Sequence, residues 1–425
     1  MGKSTRIMKK LLWIPQLSNL VDGKFCLDLD SNHNLFMGRL RELIKNTDWD
    51  IYYVLPSENL NSEYTSTIVK FLDEFEHLDL ECRFKFLYYP FNTNPFATRF
   101  DFSFRDWDEC LGDFVPDVCV INDPCLVKNF RTFFYTRHNK IPGMISYNHF
   151  IDNPSDPKVP SEISYWDYQV AGATVADLNV FTCRATERLF LDEINLYHSQ
   201  RKIFSSIWDA GYSAEELESH RPHRFSFKLD KDITYILFPN RISSYQDYTN
   251  GLKLLEACDE LFDKRQDFRL ICANPTQKYS NQELKEKCRA LEVLVDRALT
   301  KDEYYSLLYQ CDLGASLYTH DRYGGCAMRE YVAAGTVPIM TNYAEYGILM
   351  DEVGWPKDLR VHENLGNLVD IIDRTIDMYK AGEFNPETGH TLFAQFADNI
   401  FKTCSHEMTT KKVIDNIEYV HRVTS

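Results

Sequence analysis

No stretch of this sequence approaches the ~20 consecutive apolar residues that a membrane-spanning helix needs. Internal repeats and low-complexity tracts are missing too, which excludes solenoid architectures and wholesale disorder. The 12 cysteines are scattered, with no C-x-x-C pair and no regular Cys/His spacing, so neither a zinc knuckle nor a disulfide framework can be read. Several sit in apolar runs, such as Cys119 in VCVI and Cys272 in LICA, where a small buried hydrophobe fits. Reduced thiols in a cytoplasmic protein are the expectation. An excess of positive charge is also lacking. The count is 47 basic against 63 acidic residues, a net charge of −16 spread over both halves. Binding nucleic acid by bulk charge is therefore disfavoured, because neutralising phosphates needs clustered Lys and Arg. The start, MGKSTRIMKKLLWIPQL, is basic, but its apolar run stops at Ile14 and Pro15 with no small-residue cleavage site. That pattern predicts a first strand and no signal peptide. Gly2 lacks the Ser or Thr at position 6 that myristoylation uses, since Arg6 stands there.

What the sequence does contain is an ordinary globular composition, 44% hydrophobic over 425 residues, enough for two or three domains. Strand-like and helix-like runs alternate throughout, which argues for α/β architecture with parallel sheets. In the first half the expected strands are Lys10–Pro15, Ile51–Leu55, Arg83–Tyr89, Asp117–Asn122, Gly143–Tyr147 and Leu178–Thr182. Helical spacing falls on Asn34–Lys45 and Thr65–Phe75. The pattern breaks down between Ser205 and Lys231, the natural place for a domain boundary. A second alternating series follows. Its strands are Thr234–Phe238, Phe268–Ala273, Glu292–Val295, Leu313–Leu317 and Val337–Thr341. Its helices are Gly251–Leu261, Gln282–Leu291, Glu303–Gln310, Met328–Ala334 and Leu365–Lys380, with more helix in Thr391–Val423. Two Rossmann-like domains in series, with a cleft between them, is the reading.

The most informative window runs from Asp312 to Met340 as strand, Gly-containing loop, helix, Gly stop and strand. Tyr323-Gly324-Gly325 lies after a strand and just before a helix, where glycines let the backbone approach a ligand. Helix N-terminal amides there suit a diphosphate. Glu330 follows five residues after Gly325, placed to receive sugar hydroxyl groups. An ordinary βαβ unit with turn glycines would show the same pair.

The order of features in this window resembles the nucleotide-sugar-binding half of retaining GT-B glycosyltransferases, in which E-G-F-G-x-x-x-x-E precedes A-x-G-x-P-V. The second Glu of that pattern falls on Glu330 and the second Gly on Gly325. The first Gly falls on Tyr323, beside Gly324, and the first Glu on Arg322, a departure. Ala333-Ala334-Gly335-Thr336-Val337-Pro338 supplies the second segment. Phe238-Pro239-Asn240-Arg241, followed by Asn250-Gly251, resembles the family's G-R-x(n)-K-G segment, whose Arg and Lys bind the donor's phosphates. Arg241 matches, while Asn250 stands where the Lys would be; a surface Arg at a strand end is the bland alternative. In the other half, His149 and Asp152 follow an expected strand, where the family places a His or Asp near the reacting centre. Asp177 resembles a family landmark of structural role.

The acid-free stretch Pro124–Ile151 holds Lys128, Arg131, Arg137, His138 and Lys140 among Phe130, Phe133, Phe134 and Tyr135. Basic and aromatic residues mixed this way can grip a nucleic-acid backbone and stack on bases; a solvated helix with a half-buried aromatic face fits equally. Tyr147-Asn148-His149 and the run from Glu330 to Pro338 also resemble segments of phage enzymes that glucosylate 5-hydroxymethylcytosine in DNA.

The resemblance implies a GT-B protein divided as 1–205 (acceptor domain), 206–230 (connection), 231–395 (nucleotide-sugar domain) and 396–425 (a helix returning to the first domain). It implies transfer of a sugar from a nucleotide-diphosphate sugar, with UDP favoured and no obligatory metal, to an acceptor hydroxyl. Modified DNA is the candidate acceptor. The other readings are a glycan or protein glycosyltransferase, a sugar-nucleotide epimerase of the same fold, and a binding module without turnover.

Overall fold

Runs of consecutive buried apolar residues form the central strands, as expected for parallel sheets covered on both faces. The computed structural model describes residues 8–17, 19–76, 83–94, 102–148, 166–197, 203–209, 211–221, 227–240, 242, 249–273, 279–295, 299–319, 327–385 and 391–425. The chain divides into two compact units, Met1–Asp209 with Thr409–Ser425, and Ala210–Met408.

The strands of the first unit are β1 (Lys10–Ile14), β2 (Leu20–Val21), β3 (Lys24–Phe25), β4 (Asp50–Pro56), β5 (Phe84–Tyr89), β6 (Val118–Ile121), β7 (Gly143–Asn148), β8 (Leu178–Phe181) and β9 (Ser205–Ile207). Its helices are α1 (Ser31–Asn46), α2 (Ser66–Glu76), α3 (Phe104–Leu111), α4 (Val127–His138), α5 (Trp166–Val175) and α6 (Arg184–Tyr197). Seven strands form one parallel sheet in the order β5-β4-β1-β6-β7-β8-β9, and β2 and β3 make a separate hairpin. The hairpin turns at Asp22 and Gly23, with φ of 51° and 73°, the signature of a primed turn. At its C-terminal end the chain rejoins this unit. There Glu418 accepts from Lys9 Nζ at 2.8 Å and from Trp49 Nε1 at 2.8 Å, and Asn416 Oδ1 accepts from Trp208 Nε1 at 2.8 Å.

The second unit runs α7 (Ala214–Ser219), β10 (Thr234–Phe238), α8 (Gly251–Phe262), β11 (Phe268–Cys272), α9 (Asn281–Lys287), β12 (Leu291–Glu292) and α10 (Lys301–Leu308). It continues with β13 (Leu313–Ser316), α11 (Ala327–Ala333), β14 (Val337–Met340), α12 (Ala344–Glu352), α13 (Leu368–Lys380), α14 (Thr391–Cys404) and the start of α15 (His406–Thr424). Its sheet is parallel, in the order β12-β11-β10-β13-β14. Pro338, which has no N–H for a ladder, sits in β14 at the sheet's edge, the place where a strand tolerates it.

An aspartate just before a strand pins its neighbour in both sheets. Asp117 Oδ2 accepts from Lys10 N at 2.9 Å, Asp177 Oδ2 from Met144 N at 2.8 Å, and Asp312 Oδ2 from Tyr235 N at 2.8 Å. These carboxylates fix register at the amino ends of the strands and leave the carboxyl ends to other groups.

Two expectations need correction here. The helix read over Gln282–Leu291 ends at Lys287, because Cys288 is extended (φ −150°) and Leu291 begins β12. The stretch after Ser205, read as patternless, supplies β9, a strand of three residues and too short to show a period.

Candidate active site

In an open parallel sheet, ligands bind outside the carboxyl ends of the strands, at the point where successive connections leave in opposite directions. In the second unit that point lies between the adjacent strands β10 and β13. The segment leaving β13 is tied down on several sides. Asn250 Nδ2 donates to Leu317 O and, at 2.9 Å, to Thr319 Oγ1. Thr341 Oγ1 donates to Tyr318 O at 2.6 Å, and Tyr318 OH donates to Asn240 Oδ1 at 2.9 Å. Asn250 has a left-handed backbone (φ 54°) and its side chain does not cap α8, which starts at the next residue. A Cβ on Gly251 would come within 2.8 Å of Ile242 and 2.9 Å of Phe238, so only glycine lets the first turn of α8 lie against the end of β10.

Glu330 occupies the first turn of α11. The helix is drawn onto the sheet at Gly314, where a Cβ would stand 2.7 Å from the Tyr331 ring. It ends at Gly335, whose φ of 100° suits glycine and lets the chain turn into β14. Thr336 Oγ1 then donates to Leu308 O at 2.7 Å, joining the ends of α11 and α10. This arrangement brings Glu330 to the tyrosine pair of α10. Tyr304 OH donates to Glu330 Oε2 at 3.1 Å and Tyr305 OH to Oε1 at 3.2 Å. Burial pushes the Glu330 carboxyl above the usual carboxylate range, and the Lys301 ammonium and the two tyrosine hydroxyl groups pull it back in part. Around the pair, Lys301 bridges to Glu216 at 2.7 Å with its ammonium 5.3 Å from the Tyr305 ring centre, and His220 Nε2 meets Asp302 at 3.0 Å.

Neither tyrosine figured in the sequence reading, although a local signal was present. Thr300-x-x-Glu303 is a capping box, and both of its reciprocal hydrogen bonds form. It starts α10 at Lys301, two residues before the expected start, and so fixes where Tyr304 and Tyr305 fall on the helix.

On the same carboxyl edge, a concavity at the ends of β11 and β12 is lined by Cys272, Ala273, Asn281, Leu284, Val293 and Leu299. Among the described residues no group of three or more His, Cys, Asp or Glu side chains is placed to hold a metal ion.

Of the expected donor-site residues, Glu330 is on this edge, and Asn250, at the expected cation's place, serves the fold as a tether. Arg241, Arg322, Tyr323, Gly324, Gly325, His149 and Asp152 lie outside the described residues. Asn148, just before His149, is buried, and its amide donates to Ser146 O and Val180 O, each at 3.1 Å.

The basic and aromatic strip differs from the expectation of a free cationic face. Arg137 pairs with Asp108 and, at 3.8 Å, with Asp113. Lys140 lies 3.4 Å from Asp117, and Arg131 donates to Val175 O at 3.1 Å while lying 3.9 Å from Asp177. Lys128, Arg137 and Lys140 are exposed and Arg131 is half-buried, so of the exposed cations Arg137 and Lys140 face acids. Phe130, Phe133 and Phe134 are buried in the core around Trp107, which leaves Tyr135 as the exposed ring. The acid-free sequence misleads because the acids that neutralise it come from other segments.

Comparison with protein-family models and with curated protein sequences gives no match. Solved structures match over nearly the whole chain. The UDP-forming α,α-trehalose-phosphate synthase of Burkholderia vietnamiensis superposes with a TM-score of 0.65 at 11% identity, covering 98% of this chain and 98% of that one. A glycosyltransferase from Rickettsia africae gives 0.61 at 12% identity, covering 97% and 99%. Anabaena HepE, solved in complex with UDP and glucose, gives 0.62 at 12% identity, covering 97% and 100%. At these identities the likeness establishes architecture: the chain has the GT-B fold, built from two Rossmann-like domains.

Proposed function

We propose that the chain is a UDP-sugar-dependent glycosyltransferase that moves a hexose to a hydroxyl group of a carbohydrate acceptor, with retention at the anomeric carbon. The observation that carries this reading is the Glu330 carboxylate, held by one tyrosine hydroxyl on each oxygen at the carboxyl edge of a GT-B second domain. An ionised carboxylate offers roughly four acceptor positions, and the tyrosines use two. The remaining lone pairs suit a vicinal diol such as the ribose of a nucleotide. The concavity at the ends of β11 and β12 would take the base. The amides of Gly324 and Gly325, with Arg241, would hold the diphosphate, stabilising the charge that develops as it leaves.

The step balances without a further reactant. The bond from the anomeric carbon to the diphosphate oxygen breaks, the acceptor oxygen bonds to that carbon, and the hydroxyl proton passes to a phosphate oxygen. His149 and Asp152 are proposed to contribute from the acceptor side. A carbohydrate acceptor is favoured over modified DNA because three of the four cations in the basic strip are engaged by acids of the same unit. Two structural neighbours named for forming α,α-trehalose phosphate, a disaccharide phosphate, point the same way.

The test is a matrix of UDP- and GDP-sugars against glucose 6-phosphate, free hexoses, hydroxymethylated DNA and water, read by nucleotide release and by NMR of the product's anomeric centre. Release of UDP with a retained linkage to a carbohydrate is expected. Transfer to DNA in preference to sugars would overturn the acceptor, and an inverted linkage would overturn retention. Epimerised donor without transfer would make the chain an epimerase, and binding without turnover would make it a binding module.

A further inference from the structure

Two consecutive tyrosines of α10 reach the same carboxylate. Neighbouring residues on a helix ordinarily do not face one partner. Glu330 is straddled instead, with Tyr304 OH donating to Oε2 at 3.1 Å and Tyr305 OH to Oε1 at 3.2 Å. Phenylalanine would fill the same space at both positions, so what the hydroxyl groups add is their hold on the acid. Tyr305 is the stiffer arm. It is buried, the Lys301 ammonium lies 5.3 Å from its ring centre, and the His220 ring meets it edge-on with centroids 5.2 Å apart. Lys301 is in turn engaged by Glu216 at 2.7 Å, and His220 Nε2 by Asp302 at 3.0 Å.

We infer that Tyr304 and Tyr305 are positioning residues that make the donor site select a ribonucleotide over a deoxyribonucleotide. The inference rests on the donor reading above. An ionised carboxylate has roughly four acceptor positions. One phenol on each oxygen leaves one position per oxygen and stops the group from turning, so it receives both hydroxyl groups of a ribose together. A 2′-deoxyribose then leaves one acceptor of a buried acid unpaired, which costs more than the missing bond alone. Without the phenols the carboxylate could turn and satisfy a single hydroxyl equally well. The phenols also help keep the acid charged. Burial opposes ionisation of Glu330; Lys301, Tyr304 and Tyr305 of α10 favour it, and Glu216 of α7 opposes it. On the α14 side, the neighbouring Arg329 donates to Cys404 Sγ at 3.2 Å. Removing a phenol therefore raises the carboxyl further, and the pH below which the donor is lost moves up.

The experiment is titration calorimetry of the full chain with UDP and 2′-deoxy-UDP across the acid-to-neutral pH range, comparing wild type with Y304F, Y305F and E330Q. Wild type should bind UDP at least about tenfold tighter than 2′-deoxy-UDP, the factor carried by one lost charge-assisted hydrogen bond. Y304F and Y305F should each narrow that preference to within about threefold. Each should also move the pH at which UDP affinity is half lost upward by about half a unit, the shift carried by one lost hydrogen bond to the charged form. Both variants keeping the wild-type pH midpoint, or both keeping the wild-type preference for ribose, would overturn the inference. That includes equal weakening of the two nucleotides with an unmoved midpoint, which lost packing alone would produce. Should Y305F fail to fold, Y304F decides by the same limits, since its ring is half-buried. Equal binding of the two nucleotides by wild type would overturn the inference as well. UDP affinity in E330Q equal to wild type, or no UDP binding by wild type, would overturn the donor reading itself. That result is distinct from tight, Glu330-dependent binding that ignores the tyrosines.

Discussion

An asparagine follows a strand beside the switch point of each sheet, and the two are treated differently. Asn122, after β6 in the first unit, gives its Oδ1 to the indole N–H of Trp13 at 2.8 Å, so a large buried ring of β1 closes over it. Asn240, after β10 in the second unit, gives its Oδ1 to a phenol and keeps a buried N–H unused. The same doubly wound topology thus serves two ends. In the first unit the strand-end amide is spent on holding β1 to β6. In the second its oxygen meets Tyr318 OH, and its Nδ2 is buried without a hydrogen-bond partner. Function in such a fold is decided by which polar groups the packing leaves over, more than by the topology itself.

Glu330→Gln should have the largest effect on this contrast. It keeps one acceptor for the tyrosines but removes the charge that would receive a diol. Turnover of a UDP-sugar should fall about a hundredfold, as expected for losing two charge-assisted hydrogen bonds. Burial raises the carboxyl of Glu330, so wild-type donor affinity should decline as pH falls through that raised value and the carboxylate is protonated. The glutamine variant should lose this pH dependence, and identical pH profiles for the two proteins would remove Glu330 from the site.

Gly314→Ala should come next. Its Cβ would press into the Tyr331 ring at 2.7 Å, lifting α11 and Glu330 with it. Overpacking of this kind costs about 1–3 kcal/mol, read as a lower Tm together with weaker UDP binding. A lower Tm with unchanged UDP affinity would separate α11 from the donor.

Trp13→Phe probes the other asparagine. It should lower stability by about 1–3 kcal/mol, through a lost buried hydrogen bond and a small cavity, and leave the UDP dissociation constant unchanged. Weaker UDP binding there would erase the distinction between the two asparagines. The smallest effect is expected for Arg131→Glu with Arg137→Glu. Partly exposed ion pairs of this kind contribute within about 1 kcal/mol, so transfer to a carbohydrate should persist, measured as UDP release. Loss of all transfer would return the strip to the acceptor site.

Much of the fold was legible because burial leaves a periodic trace. TYILF and VCVI read as strands buried on both faces, and that is what β10 and β6 are. The same logic fails where periodicity runs past a break. Leu284, Cys288 and Leu291 are buried at helical spacing, yet the helix stops at Lys287 and the last of them belongs to a strand. Glu330 was singled out from its place after a Gly-containing loop, and it lies in the first turn of α11. The tyrosines that hold it did not figure in the sequence reading, although the capping box before them fixes where they fall on the helix.

The sequence by itself determined the alternation of elements and the position of Glu330 after a Gly-containing loop, because each is written in spacing over a few turns, while the GT-B reading of the Asp312–Met340 window came from its resemblance to that family. Tertiary structure decided which charges are free and which amides are spent. Arg137 meets Asp108 across 29 positions, and Asn250 reaches Thr319 across 69. Tyr318 reaches Asn240 across 78. Local patterning specifies which face of an element is buried. Only the assembled sheet, with its connections in place, specifies what each buried polar atom meets there.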